Sequence, residues 1–293
     1  MSDCGAMNIL VSVDDAYTMP LTVMLTSLFM HNDPKTITVW LLYTGLSDAS
    51  RTQIAQFVEN SSARMEQLLV DDSFFEDFPT ASYISRETYL RLLSGDVLPS
   101  DIHRVLWLDA DLVVTGSLRE LYGIDFGKNA LIACSYAGEI PKDISEQCVA
   151  LGIDPSGYIN AGVMLINLDA WREADLRSEM LKVYSRGIPL KYADQDLVNC
   201  IFCGRIGYAD PDVYNFKINR PLDEQALSAA RDHARIIHFC GLMKPWMFSD
   251  IPLGDIWRSY YEQSPLRQTR LRLITRAGLS RFAAKAKDGR LHG

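Results

Sequence analysis

The stretch MNILVSVDDAY, residues 7–17, opens the alternation of strand and helix patterns that decides the fold. Its apolar, strand-like start is followed by helical spacing of apolar residues over 19–33 and by a second strand-like run over 36–46. A polar helix with an apolar stripe is predicted over 48–65. This order indicates an α/β fold with a single, mostly parallel central sheet flanked by helices.

Similar patterns continue along the chain without an internal repeat, a low-complexity segment or a Gly/Ser-rich linker. We therefore expect one large domain over 1–263 and a basic appendage over 264–293. The further predicted helices cover 86–99, 141–151, 172–186 and 193–204. Further strands are predicted in the VLWL run before Asp109, over 130–136 and at 234–237, and 158–171 is another apolar segment.

The composition is that of an ordinary globular protein, with 48% apolar and 23% charged residues among 293. A net charge of −8 argues against a nucleic-acid partner, because such proteins carry a basic surface. The segment 264–293 alone has a net charge of +7, which leaves −15 on the rest. A basic tail on an acidic body predicts a separate partner for the tail.

The six cysteines are scattered through the chain, and its start lacks the basic and apolar regions of a signal peptide. We therefore expect reduced thiols in a cytoplasmic protein with no transmembrane segment. Cys200 and Cys203 have the spacing of half a zinc site or of a redox pair, but no second pair accompanies them. We predict that both are buried, inert thiols.

Asp109 and Asp111 interrupt the apolar run VLWLDADLVV at 105–114. Burying an unpaired carboxylate is costly, so a strand that served only the core would carry apolar residues there. Side chains two residues apart share one face of a strand, and two convergent carboxylates repel each other unless a proton or a cation lies between them. The pair predicts a Mg²⁺ or Mn²⁺ site at the end of the strand. The alternative is a simple turn with one capping and one solvated acid.

The segment HFCGLMKPW, residues 238–246, offers groups that would complete such a site. His238 follows a strand-like run and is either a structural histidine or a nitrogen ligand, which would shift the preference toward Mn²⁺. Gly241 permits close backbone approach to a bound group, and Lys244 supplies a charge suited to phosphate.

Five blocks of the sequence occur in the order in which a known family carries them. They are NILVSVDDAY (8–17), Asp-x-Asp (109–111), NAGVMLINLDAW (160–171), ADQDLVN (193–199) and His-x-x-Gly-x-x-Lys-Pro-Trp (238–246). Together they resemble glycosyltransferase family 8, the retaining group with the GT-A fold, and especially the bacterial lipooligosaccharide and lipopolysaccharide galactosyl- and glucosyltransferases. The likeness covers about residues 7–262.

The resemblance implies a role for residues in each block. Asp109, Asp111 and His238 would bind Mn²⁺ or Mg²⁺, and Gly241 and Lys244 would hold the diphosphate of a UDP-sugar. The nucleotide would also contact Ser12, Asp14, Tyr17, Asp109 and Ala110. The transferred sugar would be surrounded by Arg91, Asn160, Asp194 and Gln195, of which Arg91, Asp194 and Gln195 are the expected catalytic residues.

Some of these residues also have plain structural interpretations, and three positions depart from the family pattern. Arg91 would otherwise be a surface helix residue paired with Glu87, and Asp194 a helix N-cap. Ala16 stands where some relatives carry Asn, so one polar contact is absent there. Leu242 and Met243 replace smaller residues and would narrow the mouth of the site.

The implied reaction is hexose transfer from a UDP-sugar, galactose or glucose, to a hydroxyl of a cell-envelope saccharide or lipid-linked glycan. Gln195 is a poor nucleophile, so we favour front-side attack by the acceptor over a double displacement. A sugar-nucleotide pyrophosphorylase is the first alternative, but its phosphate loop would be basic and Gly-rich where VSVDDAY is acidic. The second is a non-catalytic sugar-nucleotide or carbohydrate-binding protein.

The basic tail, 264–293, predicts peripheral attachment to an anionic membrane surface. As a helix it would carry two apolar stripes separated by two basic arcs, so attraction would depend on charge more than on one apolar face. A solvated tail without fixed structure is the alternative.

Overall fold

The computed structural model describes residues 6–76, 78, 86–136, 140–218, 222–267, 271, 273 and 275. Seven of its strands form a central sheet, in the spatial order β3-β2-β1-β4-β7-β6-β8. They are β1 (Met7–Ser12), β2 (Ile37–Tyr43), β3 (Arg64–Leu69), β4 (Arg104–Leu108), β6 (Leu131–Ser135), β7 (Ile159–Asn167) and β8 (Ile206–Tyr208). Only β7 runs antiparallel to its neighbours in this sheet, β4 and β6, so the predicted mostly parallel sheet is confirmed.

Three short strands form a second sheet beside the first. They are β5 (Leu112–Val114), β9 (Phe216–Lys217) and β10 (Ile236–His238), with β10 in the middle. The strand predicted before Asp109 is β4, and the run 105–114 forms two strands in two sheets, joined by the turn at 109–111. The apolar pattern is continuous because both halves are buried, and only strand pairing separates them.

Helices flank both sheets and close their apolar faces. The helices are α1 (Thr18–His31), α2 (Asp48–Asn60), α3 (Arg86–Tyr89), α4 (Ser94–Val97), α5 (Arg119–Tyr122), α6 (Lys142–Leu151), α7 (Leu168–Glu173), α8 (Leu176–Tyr184), α9 (Asp194–Ile201), α10 (Pro211–Tyr214), α11 (Glu224–His233) and α12 (Gly254–Gln263). The predicted helix over 86–99 is in fact α3 and α4 separated by a 3-10 turn, Leu90–Leu93.

The core lies on both faces of the central sheet, with a third cluster under the small sheet. In β1, Ile9, Leu10 and Val11 are completely buried, which explains the unbroken apolar run at the start of the chain. Trp257 of α12 packs in the third cluster, so α12 covers the small sheet.

The predicted strands at 7–17 and 36–46 pair in parallel, with Met7 beside Ile37. Because β7 is antiparallel, its first residues lie at the same edge of the sheet as the carboxyl ends of β1 and β4. That edge is where α/β proteins place their ligands.

The predicted boundary between the large domain, 1–263, and the tail, 264–293, stays a prediction. The residues from 268 onward lie outside the described residues, apart from 271, 273 and 275. Within the part of the chain that is described, no helix is both long enough and apolar enough to cross a membrane.

Candidate active site

Asp109 and Asp111 lie in the turn that leads from β4 in the large sheet to β5 in the small one. The backbone holds this turn on both sides: the Asp109 N–H donates to the Gly162 carbonyl at 2.9 Å, and the Phe239 N–H donates to the Asp111 carbonyl at 2.9 Å. The prediction that both residues lie in one extended strand is therefore wrong, but their side chains still converge. Ala110 between them is buried.

His238 is the last residue of β10 and faces both carboxylates. Its Nε2 lies 3.0 Å from Asp111 Oδ1 and 3.7 Å from Asp109 Oδ2. One ligand atom of each residue lies within 4.8 Å of the others. Two carboxylates and one imidazole at this spacing fit a hard divalent cation such as Mn²⁺. The small sheet produces this convergence because β10 pairs with β5 and brings His238 opposite Leu112.

Gly162 of β7 leaves the room that the histidine occupies. A Cβ at this position would lie 2.2 Å from His238 Cε1 and 2.7 Å from Asp109 Oδ2. Both contacts are far shorter than van der Waals distance, so a side chain here would displace two of the three candidate ligands. The absence of a side chain at Gly162 therefore allows His238 and Asp109 to pack against the backbone of β7.

Lys244 is buried and pairs with Asp111 Oδ2, whereas His238 contacts the other carboxylate oxygen, Oδ1. Its Nζ lies 2.5 Å from Asp111 Oδ2 and 2.9 Å from the Phe239 carbonyl oxygen. Burial opposes ionisation of Asp111, but Lys244 and His238 hold the pKa of this carboxyl well below its usual value. We call Asp109, Asp111, His238 and Lys244 the cation-side cluster.

The loop before Lys244 turns at Gly241, whose φ is +79°. A Cβ there would meet nothing within 4 Å, so this glycine is needed for its left-handed backbone rather than for space. Leu242 is 63% exposed, whereas Met243 packs partly against the third core cluster.

Arg91 lies in the 3-10 turn between α3 and α4 and is only 3% exposed. Its Nη2 is 3.1 Å from Asp109 Oδ1, its Nε is 3.0 Å from Asp194 Oδ2, and its Nη1 donates to the Ala161 carbonyl at 2.6 Å. The guanidinium also lies 4.2 Å above the Trp107 ring. The alternative of a surface residue is therefore wrong; the side chain of Glu87, its suggested partner, lies outside the described residues.

Asp194 is the first residue of α9, and the N-cap position belongs to Ala193, which makes no side-chain cap. The N-cap interpretation of Asp194 is therefore wrong. Burial raises the pKa of Asp194 to about 7, although the charge of Arg91 acts in the opposite direction. Arg91 thus links one candidate ligand, Asp109, to the buried acid Asp194.

Gln195 and Asn160, which are predicted to act at the same part of the site, contact each other directly. Asn160 Nδ2 donates to Gln195 Oε1 at 2.9 Å, and the Ala161 N–H donates to the same oxygen at 3.2 Å. Sequence reasoning missed a third amide, Asn215, whose Nδ2 donates to Asn160 Oδ1 at 2.9 Å. We call Gln195, Asn160 and Asn215 the amide chain. No motif marks Asn215 in the sequence, because its partners are distant along the chain.

Of the residues predicted to bind the nucleotide, Ser12 is the last residue of β1, and Asp14 and Tyr17 follow this strand, which lies next to β4. Asp14 accepts a hydrogen bond from the Tyr17 N–H at 2.9 Å, and the Tyr17 ring packs edge-on against Trp246 at 5.8 Å between centroids. Burial raises the pKa of Tyr17, and Lys244 opposes this shift, so the ring lies close to the cation-side cluster. The buried Ser12 hydroxyl has no hydrogen-bond partner among the described residues, whereas Ala16 is exposed.

The described cysteines Cys134, Cys148, Cys200, Cys203 and Cys240 are all free thiols. The prediction that Cys200 and Cys203 are both buried is wrong: Cys200 is half-buried, and Cys203, which lies beyond the end of α9 at Ile201, is exposed. Burial raises the pKa of Cys200 to about 11, as expected of an unreactive thiol.

Comparisons with known proteins agree with these features. Residues 8–250 match the model of glycosyl transferase family 8. A lipopolysaccharide 1,3-galactosyltransferase of Salmonella typhimurium is 24% identical over 99% of this chain and 88% of its own length. A lipopolysaccharide 1,2-glucosyltransferase of Escherichia coli is 26% identical over 90% of this chain and 79% of its own length.

The crystal structure of the galactosyltransferase LgtC, in complex with donor and acceptor sugar analogs, superposes with a TM-score of 0.74. The two chains are 26% identical, and the match covers 88% of this chain and 96% of LgtC. The expected GT-A arrangement, a mostly parallel sheet flanked by helices, is thereby confirmed. With a family match over most of its length, the chain belongs to glycosyltransferase family 8.

Proposed function

We propose that this protein is a metal-dependent retaining glycosyltransferase that moves galactose or glucose from a UDP-hexose to a hydroxyl of a cell-envelope saccharide. The observation that carries the proposal is the convergence of Asp109, Asp111 and His238 at the ligand edge of a family 8 fold. The relatives named for lipopolysaccharide galactosyl and glucosyl transfer support the choice of hexose and acceptor.

In this proposal the leaving group is UDP. A Mn²⁺ or Mg²⁺ ion held by Asp109, Asp111 and His238 would supply positive charge that stabilises the departing diphosphate. Lys244, which already neutralises Asp111, would bind a diphosphate oxygen, with the Gly241 backbone beside it. These groups act where negative charge develops, so they favour the transition state over the bound donor.

The uridine would bind along the end of β1. Tyr17 offers a ring beside Trp246, and Asp14, Asp109 and the backbone at Ala110 would bind the ribose and uracil. The Ser12 hydroxyl is consistent with this placement, since it is buried and has no hydrogen-bond partner among the described residues.

On the sugar side, Arg91, Asp194, Asn160 and Gln195 would bind the hexose hydroxyls. Gln195 Oε1 already accepts two hydrogen bonds, and an amide oxygen is a poor nucleophile in any case. Asp194 is buried against Arg91. Both facts favour front-side attack by the acceptor hydroxyl over a covalent intermediate on either residue.

We further propose that the protein works in the cytoplasm, at the inner face of the membrane, with the basic segment 264–293 attracted to anionic lipid. A saccharide or lipid-linked glycan acceptor would be found there. Liposome co-sedimentation at low and high salt, with and without residues 264–293, tests this part. Equal pelleting of both forms would exclude a membrane role for the tail.

The catalytic proposal is tested by incubating the protein with UDP-Gal, UDP-Glc and UDP-GlcNAc plus Mn²⁺. The readouts are UDP release and, with a lipopolysaccharide core acceptor, the anomeric configuration of the product by NMR. We expect release of UDP from one hexose donor, loss of activity with a chelator, and retained configuration. Binding without UDP release would favour a non-catalytic binding protein, and pyrophosphate formation from UTP and a hexose 1-phosphate would favour a pyrophosphorylase.

A further inference from the structure

Asn215 connects the two halves of the site. It follows α10 directly and is 1% exposed. Its Oδ1 lies 2.9 Å from His238 Nδ1, and its Nδ2 lies 2.9 Å from Asn160 Oδ1. It reaches this place because β9, which begins at Phe216, pairs with β10 and puts Phe216 beside Ile237.

Two backbone N–H groups determine the direction of every hydrogen bond in the amide chain. The Ala161 N–H donates to Gln195 Oε1, and the Gly162 N–H donates to Asn160 Oδ1 at 3.2 Å. A backbone N–H can only donate, so both amides must present oxygen to it. Asn160 therefore offers its Nδ2 to Gln195 and its Oδ1 to Asn215.

The direction of the Asn160–Asn215 hydrogen bond also determines which atom donates between Asn215 and His238. Since Asn160 Oδ1 only accepts, Asn215 must turn its Nδ2 toward it. This leaves Asn215 Oδ1, also an acceptor, facing His238 Nδ1, so the contact is a hydrogen bond only if Nδ1 carries hydrogen. The other ring nitrogen, Nε2, then faces Asp109 and Asp111.

We propose that Asn215 is a positioning residue that keeps hydrogen on His238 Nδ1, presents Nε2 to the cation, and couples this ligand to the sugar-side amides. The inference rests on the proposed function in one respect, that the cluster holds a divalent cation. Partners of this kind set the orientation and basicity of ligating histidines, and their loss costs about 10–100-fold in metal affinity. Asn215 would thus act through His238 and Asn160 without touching the hexose.

The test compares two substitutions that separate its two hydrogen bonds. Asn215→Ala removes both, whereas Asn215→Asp can still accept from His238 Nδ1 but cannot donate to Asn160. We expect Asn215→Ala to lose about 10–100-fold in Mn²⁺ affinity, measured on the free protein by electron paramagnetic resonance. Asn215→Asp should bind Mn²⁺ at least as tightly as wild type, with a KM for Mn²⁺ that is no higher, yet show a lower kcat for hexose transfer.

Asn32→Ala is the matched control, because Asn32 is also a buried amide that bonds the backbone, at Leu28 and Leu118, away from the site. It should lose stability and keep its Mn²⁺ affinity. Equal Mn²⁺ affinity in wild type and Asn215→Ala would overturn the inference while leaving the proposed function intact, and so would an equal loss in Asn32→Ala. If Asn215→Ala does not fold, weaker Mn²⁺ binding by Asn215→Asp would overturn it. A wild-type protein that binds Mn²⁺ but transfers no hexose would overturn the proposed function alone, and one that binds no Mn²⁺ would overturn both.

Discussion

The two halves of the active site satisfy their buried polar groups in different ways. In the cation-side cluster, oppositely charged groups pair with each other, and Asp111 lies between His238 and Lys244. The amide chain uses neutral groups whose directions are set by backbone N–H donors. Removing one charge should therefore leave its partner uncompensated, whereas removing one amide should mainly disturb geometry. The difference predicts that substitutions in the cluster act through charge and that substitutions in the amide chain act through geometry.

The largest effect should follow loss of a charge from the cluster. Asp109→Asn removes an anionic ligand that also pairs with Arg91, and we expect hexose transfer to fall by at least about 100-fold with the fold retained. Initial rates of UDP release and circular dichroism measure the two parts. The control is Asp255→Asn, which removes an exposed carboxylate paired with Arg231. Transfer by Asp109→Asn at the wild-type rate would rule out its role as a ligand.

A steric change at Gly162 should disturb the cluster without altering its charge. Gly162→Ala would place a Cβ within 2.2 Å of His238 Cε1, so we expect about a 100-fold loss of transfer from misplaced ligands. Calorimetric titration with Mn²⁺ should show weaker binding. Gly45→Ala is the matched control because a Cβ there meets nothing within 4 Å. Unchanged Mn²⁺ binding by Gly162→Ala would show that the ligands tolerate this displacement.

Arg91 joins the cation-side cluster, through Asp109, to the buried acid Asp194, so its replacement tests this link. Arg91→Lys keeps the charge but loses the planar guanidinium that contacts Asp109 and Asp194 together. We expect a loss of about 1–3 kcal/mol in the free energy of unfolding, because buried acceptors are left without a donor. Urea denaturation measures this loss. Arg231→Lys, in an exposed pair, should cost about 0–1 kcal/mol. Equal costs for the two variants would contradict the buried role of Arg91.

The smallest effect should be a pH dependence that Asp194 contributes. Its pKa is raised from 3.8 to about 7, so the folded protein holds a proton that the unfolded chain has lost over this range. The stability due to the neutral carboxyl is therefore full below pH 4 and is lost as pH rises to 7.

Thermal and urea unfolding of the metal-free protein between pH 4 and 9 measure this effect. The stability of wild type relative to Asp194→Asn should fall up to pH 7 and then stay level. A difference that rises with pH would mean that Arg91 dominates and that Asp194 is ionised throughout.

Parts of the fold were predictable because long apolar runs reveal buried strands and helices. The strands β1 and β2 and the helix α1 lie where the pattern predicted them. Strand β3 was missed because its residues are only partly buried or exposed, which leaves no apolar run to detect. The entry of the chain into a second sheet after Asp111 was not predicted, because apolar periodicity does not reveal which sheet a strand joins.

The candidate site was predictable to the extent that its residues carry distinctive chemistry. Asp109, Asp111 and His238 stand out as acids and a histidine at strand ends, and the structure brings them together. Asn215 does not stand out, because a single Asn is common in loops, and its role depends on where β9 and β10 meet. The roles of the nucleotide and sugar residues stay predictions.

By itself, the sequence determined the alternation of strands and helices and the supply of carboxylates, imidazole and cations at the strand ends. Only the tertiary structure decided that Arg91 joins Asp109 to Asp194 and that Asn215 joins Asn160 to His238. The physical reason is the separation along the chain over which each kind of information acts. Apolar periodicity is a local property of the chain, whereas hydrogen bonds and ion pairs depend on distances of about 3 Å between segments that only the fold brings together.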